Sequence, residues 1–196
     1  MTEKLGRNDV VRSLIHGGGI TTVWMSMYGG RAWVLLLIVA VTAAYCASEY
    51  LRMRGRDLPI LNKITLAAAR RGEAEGFLTA PIYYACGIFL SLSLFPEPVS
   101  YATIAIFTLG DPMVYIVGRS MGKHRVPYNP SKYLEGSIGG FISASLASSL
   151  FVQPTLALLG SAIGMFVESL RTPVDDNLAM PVATGLGLII LSAIPS

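Results

Sequence analysis

The chain alternates long apolar intervals with short clusters of charge, and the intervals define the elements. Eighteen residues free of Asp, Glu, Lys and Arg separate Arg12 from Arg31, seventeen separate Arg31 from Glu49, and twenty-one separate Glu75 from Glu97. Between Pro98 and Gly118 the single charge is Asp111. Gly136–Val167 is a run of thirty-two uncharged residues, and Asn177–Ser196 is another of twenty. An ionised side chain at the centre of a bilayer costs at least ~2.5 kcal/mol, and a helix of about 20 residues crosses ~30 Å of hydrocarbon. Each interval therefore predicts a membrane-spanning helix. The run of thirty-two is too long for one, since it would reach about 48 Å as a single helix. Gln153-Pro154 at its middle marks a break, because proline favours a helix start. The pattern predicts an all-α polytopic membrane protein with about seven spans, near 13–29, 32–48, 77–95, 99–118, 137–152, 155–169 and 178–194.

Composition narrows the alternatives. Of 196 residues 53% are hydrophobic and 14% charged, against roughly 25% charged in a soluble domain. That is too apolar for disorder. Cys46 and Cys86 lie far apart in apolar runs, which excludes a disulfide scaffold. A net charge of +3 spread over this composition is no nucleic-acid module. Sorting the basic residues by loop places 14 of 15 Lys and Arg on one side and Arg31 alone on the other. By the positive-inside rule the crowded side, with the N-terminus, is cytoplasmic. No small-x-small cleavage site follows the first interval, which argues against a signal peptide. Within the cytoplasmic loop 49–76, Leu58–Arg71 reads as an amphipathic surface helix or a plain connector. With no internal repeat, residues 1–196 read as one membrane domain.

Several polar residues stand where burial is costly. Asp111, in Leu109-Gly110-Asp111-Pro112, is an intramembrane carboxylate and a functional candidate by default; a helix break capped by Asp before Pro is the alternative. Gly118-Arg119-Ser120-Met121-Gly122-Lys123 and Lys132-Tyr133-Leu134-Glu135-Gly136-Ser137 interleave glycine with charge at the cytoplasmic mouth, and the second opens a helix. Backbone N–H groups at a helix start with nearby lysines suit phosphate, although the P-loop pattern is absent. Glu168, Asp175, Asp176 and Asn177 supply hard oxygen ligands suited to Mg²⁺ shared with a phosphate chain; a solvated loop ending in a helix cap also accounts for the last three. His16 lies one turn after Arg12, so both can reach one headgroup-level site, or His16 is satisfied locally. Glu49 with Arg52 and Arg71 with Glu75 are helix pairs, and Gly160-x-x-x-Gly164 is a packing motif. Neither a Cys/His metal spacing nor a G-x-S-x-G elbow occurs.

These residues resemble the CTP-dependent lipid alcohol kinases, which include dolichol kinase, phytol kinase and a fungal-type diacylglycerol kinase. The resemblance rests on Arg12-x-x-x-His16, on Gly110-Asp111 with Gly118 seven residues after the Asp, and on Gly122-Lys123. It continues through Lys132-x-x-Glu135-Gly136-Ser137 and through Glu168 with Asp176-Asn177-x-x-x-Pro181, nearly the whole chain. Family members often carry a second basic residue after the arginine; here it is Ser13. The resemblance implies a kinase taking CTP and Mg²⁺, with an isoprenoid or lipid alcohol as substrate. It implies catalytic roles for Asp111, Lys132 and Glu135, with Glu135 orienting Lys132. Nucleotide or phosphate contacts fall to Arg12, His16, Gly118, Gly122, Lys123, Lys132, Gly136, Ser137 and Asn177, and metal contacts to Asp111, Glu168, Asp175 and Asp176. Phosphatidate cytidylyltransferases share the Asp…Lys-x-x-Glu-Gly core and are the alternative. Their C-terminal Pro-Gly-His-Gly-Gly stretch is replaced here by Leu178-Ala179-Met180-Pro181-Val182. A small transporter is a third reading, disfavoured because one membrane face is almost bare of charge. The expected partners are the membrane alcohol and CTP, with no nucleic acid, and a homo-oligomer is left open.

Overall fold

The computed structural model describes residues 6–56 and 76–193, so the expected helix Leu58–Arg71 and the Arg71–Glu75 pair fall outside the described residues. The helices are α1 (Arg7–Gly18), α2 (Thr21–Gly29), α3 (Arg31–Met53), α4 (Ala80–Leu94), α5 (Val99–Ala105), α6 (Asp111–Met121), α7 (Leu134–Ser148), α8 (Pro154–Ser169) and α9 (Asp176–Ser192). A π-helical turn, Ile106–Gly110, joins α5 to α6 without interruption. Strands β1 (Arg125–Val126) and β2 (Asn129–Tyr133) form a small antiparallel hairpin, with Arg125 opposite Tyr133 and Val126 opposite Asn129.

The rod α5–π–α6 is the axis of the molecule. Tyr101, Ala102, Ile104, Ile106 and Phe107 are all buried in it, and α4, α7, α8 and α9 pack around it with Ile88, Leu92, Phe95, Ala144, Met165, Met180 and Leu188. α7 crosses α6 backbone to backbone. A methyl group on Gly136 would sit 2.5 Å from the Val114 carbonyl oxygen and 3.1 Å from the Gly118 Cα. Small residues at such a crossing let the two helices approach closely.

Two helical stretches, Arg31–Met53 and Val99–Met121, are long and apolar enough to cross a bilayer. Ala80–Leu94, Pro154–Ser169 and Asp176–Ser192 are apolar but shorter, at 15, 16 and 17 residues. The expected single span over 13–29 is instead two helices, α1 and α2, turning at Gly19-Ile20. Three consecutive glycines weaken a helix there, and the Tyr84 ring occupies the space a Gly19 side chain would need. The expected break within 136–167 falls where proline places it, with α8 opening on Pro154 and α7 packed against it.

Asp111 is not a cap at a helix break: its φ and ψ of −58° and −46° are helical, and the rod continues through it. The π turn makes this possible. Pro112 has no N–H to give back to Thr108, and widening the helix one turn earlier redistributes the carbonyls. The Leu109 carbonyl accepts a hydrogen bond from Ser143 Oγ at 3.1 Å.

Candidate active site

The polar residues gather at the end of the bundle where α1, α6, the β-hairpin, the end of α8 and the start of α9 meet. Lys132 lies in β2, one residue before the cap of α7 and not inside that helix. Its ammonium donates to the Glu168 carboxylate through Oε1, to the Glu168 backbone carbonyl at 2.5 Å and to Asp176 Oδ2 at 3.0 Å. Burial works against the charge on Lys132, but the carboxylates of Glu168 and Asp176 outweigh it and hold its pKa above the usual lysine value. The hairpin is tied to the same helix end. Asn129, 3% exposed, donates from Nδ2 to the carbonyls of Ser169 and Leu170 at 3.0 and 3.3 Å. Tyr128 Oη meets Ser169 Oγ at 2.7 Å.

Asp111 faces this group from the rod, and its charge bears on both Glu168 and Asp176. On its other side His16 Nδ1 lies 3.5 Å from Asp111 Oδ2. The imidazole is wedged edge-on between Tyr84 and Phe107, with ring centroids 4.3 and 5.0 Å away, and Tyr84 Oη donates to the His16 carbonyl. Arg12 does not share the His16 position. Its guanidinium lies 4.9 Å from the centre of the Tyr115 ring, with Arg119 at 5.4 Å. Tyr115 in turn donates to Asp9 Oδ1 at 2.6 Å. α1 thus runs antiparallel to α6, pairing Asp9 and Arg12 with Tyr115 and His16 with Asp111. Asp9 is held below the usual carboxylate range: desolvation opposes this, but the Tyr115 hydroxyl, the Gly6 N–H and the two arginines prevail.

Several expected roles are corrected. Glu135 does not orient Lys132. It meets the His124 ring at 2.6 Å and accepts from the His124 N–H at 3.2 Å, bracing the loop before the hairpin. Partial desolvation opposes its charge, but its own N–H, the His124 ring and the Lys123 and His124 amides pull its pKa down to about 2. Gly118 and Gly136 are contacts of the α6–α7 crossing, and Gly122 ends α6 against the Tyr133 ring. Ser137 faces back to the Tyr133 carbonyl at 3.5 Å. Asp175 caps α9, its Oδ1 accepting from the Asn177 N–H and Nδ2 at 3.0 and 2.8 Å. Lys123 is exposed at the mouth.

Sequence reasoning missed Tyr84, Tyr115 and Asn129. The signal for Asn129 was a buried-type amide between Pro127 and Pro130; the two tyrosines sit in apolar runs and gave none.

Among the described residues no three His, Cys, Asp or Glu side chains converge as a metal cage. Mg²⁺ takes one or two carboxylates together with substrate phosphates and keeps several waters. Asp111 and Asp176, with 24% and 33% of their side chains exposed, are the donors open to such an ion. Glu168 Oε2 is buried and has no hydrogen-bond partner among the described residues.

A profile of the cytidylyltransferase family matches residues 65–193. The chain is 36% identical over 142 residues to probable phytol kinase 3, chloroplastic, of Glycine max, covering 63% of this chain and 44% of that protein. It is 34% identical over 183 residues to phytol kinase 1, chloroplastic, of Arabidopsis thaliana, covering 76% and 60%. With the CTP-dependent diacylglycerol kinase 1 of Schizosaccharomyces pombe it shares 27% over 150 residues, covering 67% and 68%. It therefore spans about half the length of the plant relatives it matches. No solved structure matches the chain. The chain belongs to the cytidylyltransferase family, and the relatives it is similar to are named as kinases of phytol and diacylglycerol.

Proposed function

We propose that this chain is a membrane-embedded kinase that transfers the γ-phosphoryl group of CTP to the hydroxyl of an isoprenoid or similar lipid alcohol, with Mg²⁺. The observation that carries the reading is the lysine Lys132 held between Glu168 and Asp176, with the charge of Asp111 bearing on both carboxylates, at one polar end of an otherwise apolar bundle. Relatives named as kinases of phytol and diacylglycerol support the reaction class. The chain lies in the bilayer with about seven membrane segments, including the short α1–α2 and α7–α8 pairs. The N-terminus and this polar end face the cytoplasm, in keeping with the crowding of 14 of 15 basic residues in the loops on that side.

Phosphoryl transfer needs positioning and charge neutralisation more than covalent help. Lys132 neutralises the phosphate chain, and exposed Lys123 at the mouth draws the nucleotide in. Asp111 and Asp176 would hold Mg²⁺, which would supply neutralisation of the phosphate charge. His16, packed against Tyr84 and Phe107, fixes the Asp111 carboxylate where it faces the alcohol entering from the lipid side. Asp111 supplies either the second metal contact or, in its place, the acceptor for the hydroxyl proton.

The test supplies purified protein with Mg²⁺, CTP and a long-chain isoprenoid alcohol and identifies the lipid product by mass spectrometry. A monophosphate ester of the alcohol supports the kinase. A CDP-linked lipid, formed only from a phosphorylated acceptor, sinks it in favour of cytidylyl transfer.

A further inference from the structure

An ammonium group has three donors, and Lys132 has committed all of them: two to Glu168 and one to Asp176. No N–H is left for a phosphate. The three bonds are unequal. Glu168 holds Lys132 by side chain and backbone together, from the last turn of α8, where unsatisfied carbonyls favour a cation. Its side chain is 3% exposed, whereas that of Asp176 is 33% exposed and meets Lys132 by one bond. The unpartnered Glu168 Oε2 is an unsuitable metal contact, because it is buried and Mg²⁺ sheds its water reluctantly.

We propose that Lys132 is an exchange lysine: Glu168 is its fixed positioning residue, and Asp176 is the partner it releases when a divalent cation and a nucleoside triphosphate arrive together. Asp176 then passes to the cation, and the freed N–H of Lys132 passes to a phosphate oxygen. The idle site is thereby self-neutralised, and cation and nucleotide depend on each other for entry. This deepens the kinase reading and rests on it for the identity of the ligand.

The experiment uses the full chain in detergent with Mn²⁺ as the cation probe and CTP as the nucleotide. Bound Mn²⁺ is read by electron paramagnetic resonance, and CTP binding by equilibrium dialysis. Asp176→Asn lowers Mn²⁺ affinity about tenfold or more in the presence of CTP. At saturating CTP, Glu168→Gln leaves Mn²⁺ affinity near wild type but needs more CTP to reach saturation, because Lys132 is no longer aimed. Lys132→Gln frees Asp176, so Mn²⁺ binding without CTP strengthens while CTP binding is lost. This third variant decides the matter if Glu168→Gln does not fold. Loss of Mn²⁺ affinity in Glu168→Gln equal to that in Asp176→Asn overturns the proposal, as does unchanged nucleotide-free Mn²⁺ binding in Lys132→Gln. If wild type binds no CTP even with Mn²⁺, the kinase reading falls as well. The opposite variant pattern with wild-type binding intact removes only the exchange.

Discussion

Glu49 and Glu168 are the two most deeply buried carboxylates among the described residues, 1% and 3% exposed, and each lies beside a cation. Their surroundings differ in completeness. Both oxygens of Glu49 are engaged, Oε2 by Arg52 Nε at 2.9 Å and Oε1 by the Arg52 guanidinium and the Leu78 N–H at 2.6 and 2.9 Å. Arg52 goes on to the Gly76 carbonyl at 2.6 Å, so the pair ties the end of α3 to the approach to α4. That network is closed and has nothing left to offer a ligand. Glu168 keeps an unpartnered oxygen, shares its lysine with Asp176 and carries the charge of Asp111 nearby. A buried ion pair by itself says little about function, since it is often close to neutral for stability. Unequal carboxylate and cation numbers, with an orphaned acceptor, distinguish the functional group from the structural one.

The sharpest way to break this contrast is to remove a charged side chain from each group. Lys132→Ala is expected to cut transfer about a thousandfold, on the scale of a lost transition-state donor, while the protein still inserts and purifies; steady-state rates alongside a melting curve check it. Asp111→Asn follows at about a hundredfold or more on the same scale, measured the same way. Glu49→Ala reverses the pattern. It removes the carboxylate partner of Arg52 and costs about 3 kcal/mol of stability, seen in denaturation, while the folded fraction turns over normally. Asn129→Ala frees the Ser169 and Leu170 carbonyls, costs about 1–2 kcal/mol, and raises KM for CTP more than it lowers kcat as the hairpin loosens.

Glu135→Gln is expected to have the smallest effect, and its sign is set by pH. The folded-state pKa of Glu135 is lowered to about 2, so its stabilising contribution is complete above the ordinary glutamate range and fades as pH falls toward 2. The melting temperatures of wild type and Glu135→Gln therefore differ at neutral pH and converge in acid. Divergence on acidification contradicts the bracing role given to Glu135.

Much of the helical framework was legible because charge is expensive in a bilayer and leaves clean gaps. Pro154 announced the α7–α8 turn, and Glu49 and Arg52 announced their pair by spacing alone. The division of the first interval was less visible, since three glycines show weakness without showing that Tyr84 fills the space. The β-hairpin was hidden by Pro127 and Pro130, which read as loop, and by the helical reading of Lys132-x-x-Glu135. At the polar end the residue types pointed to Asp111, Lys132, Glu168 and Asp176, which the fold does bring together. The division of labour was not legible: one helix turn does not reveal that Glu135 turns to His124, or that Lys132 reaches across to α8. Gly118 and Gly136 looked like phosphate ligands because glycine serves close approach of any kind, and here the approaching group is another helix.

The central claim is that the group around Lys132 acts on the terminal phosphate of CTP. The most direct measurement incubates purified protein with Mg²⁺ and an isoprenoid alcohol in two parallel reactions, with CTP labelled on the γ-phosphate in one and on the α-phosphate in the other. The account predicts label in the lipid from the γ position only, reduced about a thousandfold with Lys132→Ala. Label reaching lipid from the α position, with pyrophosphate released, would contradict it.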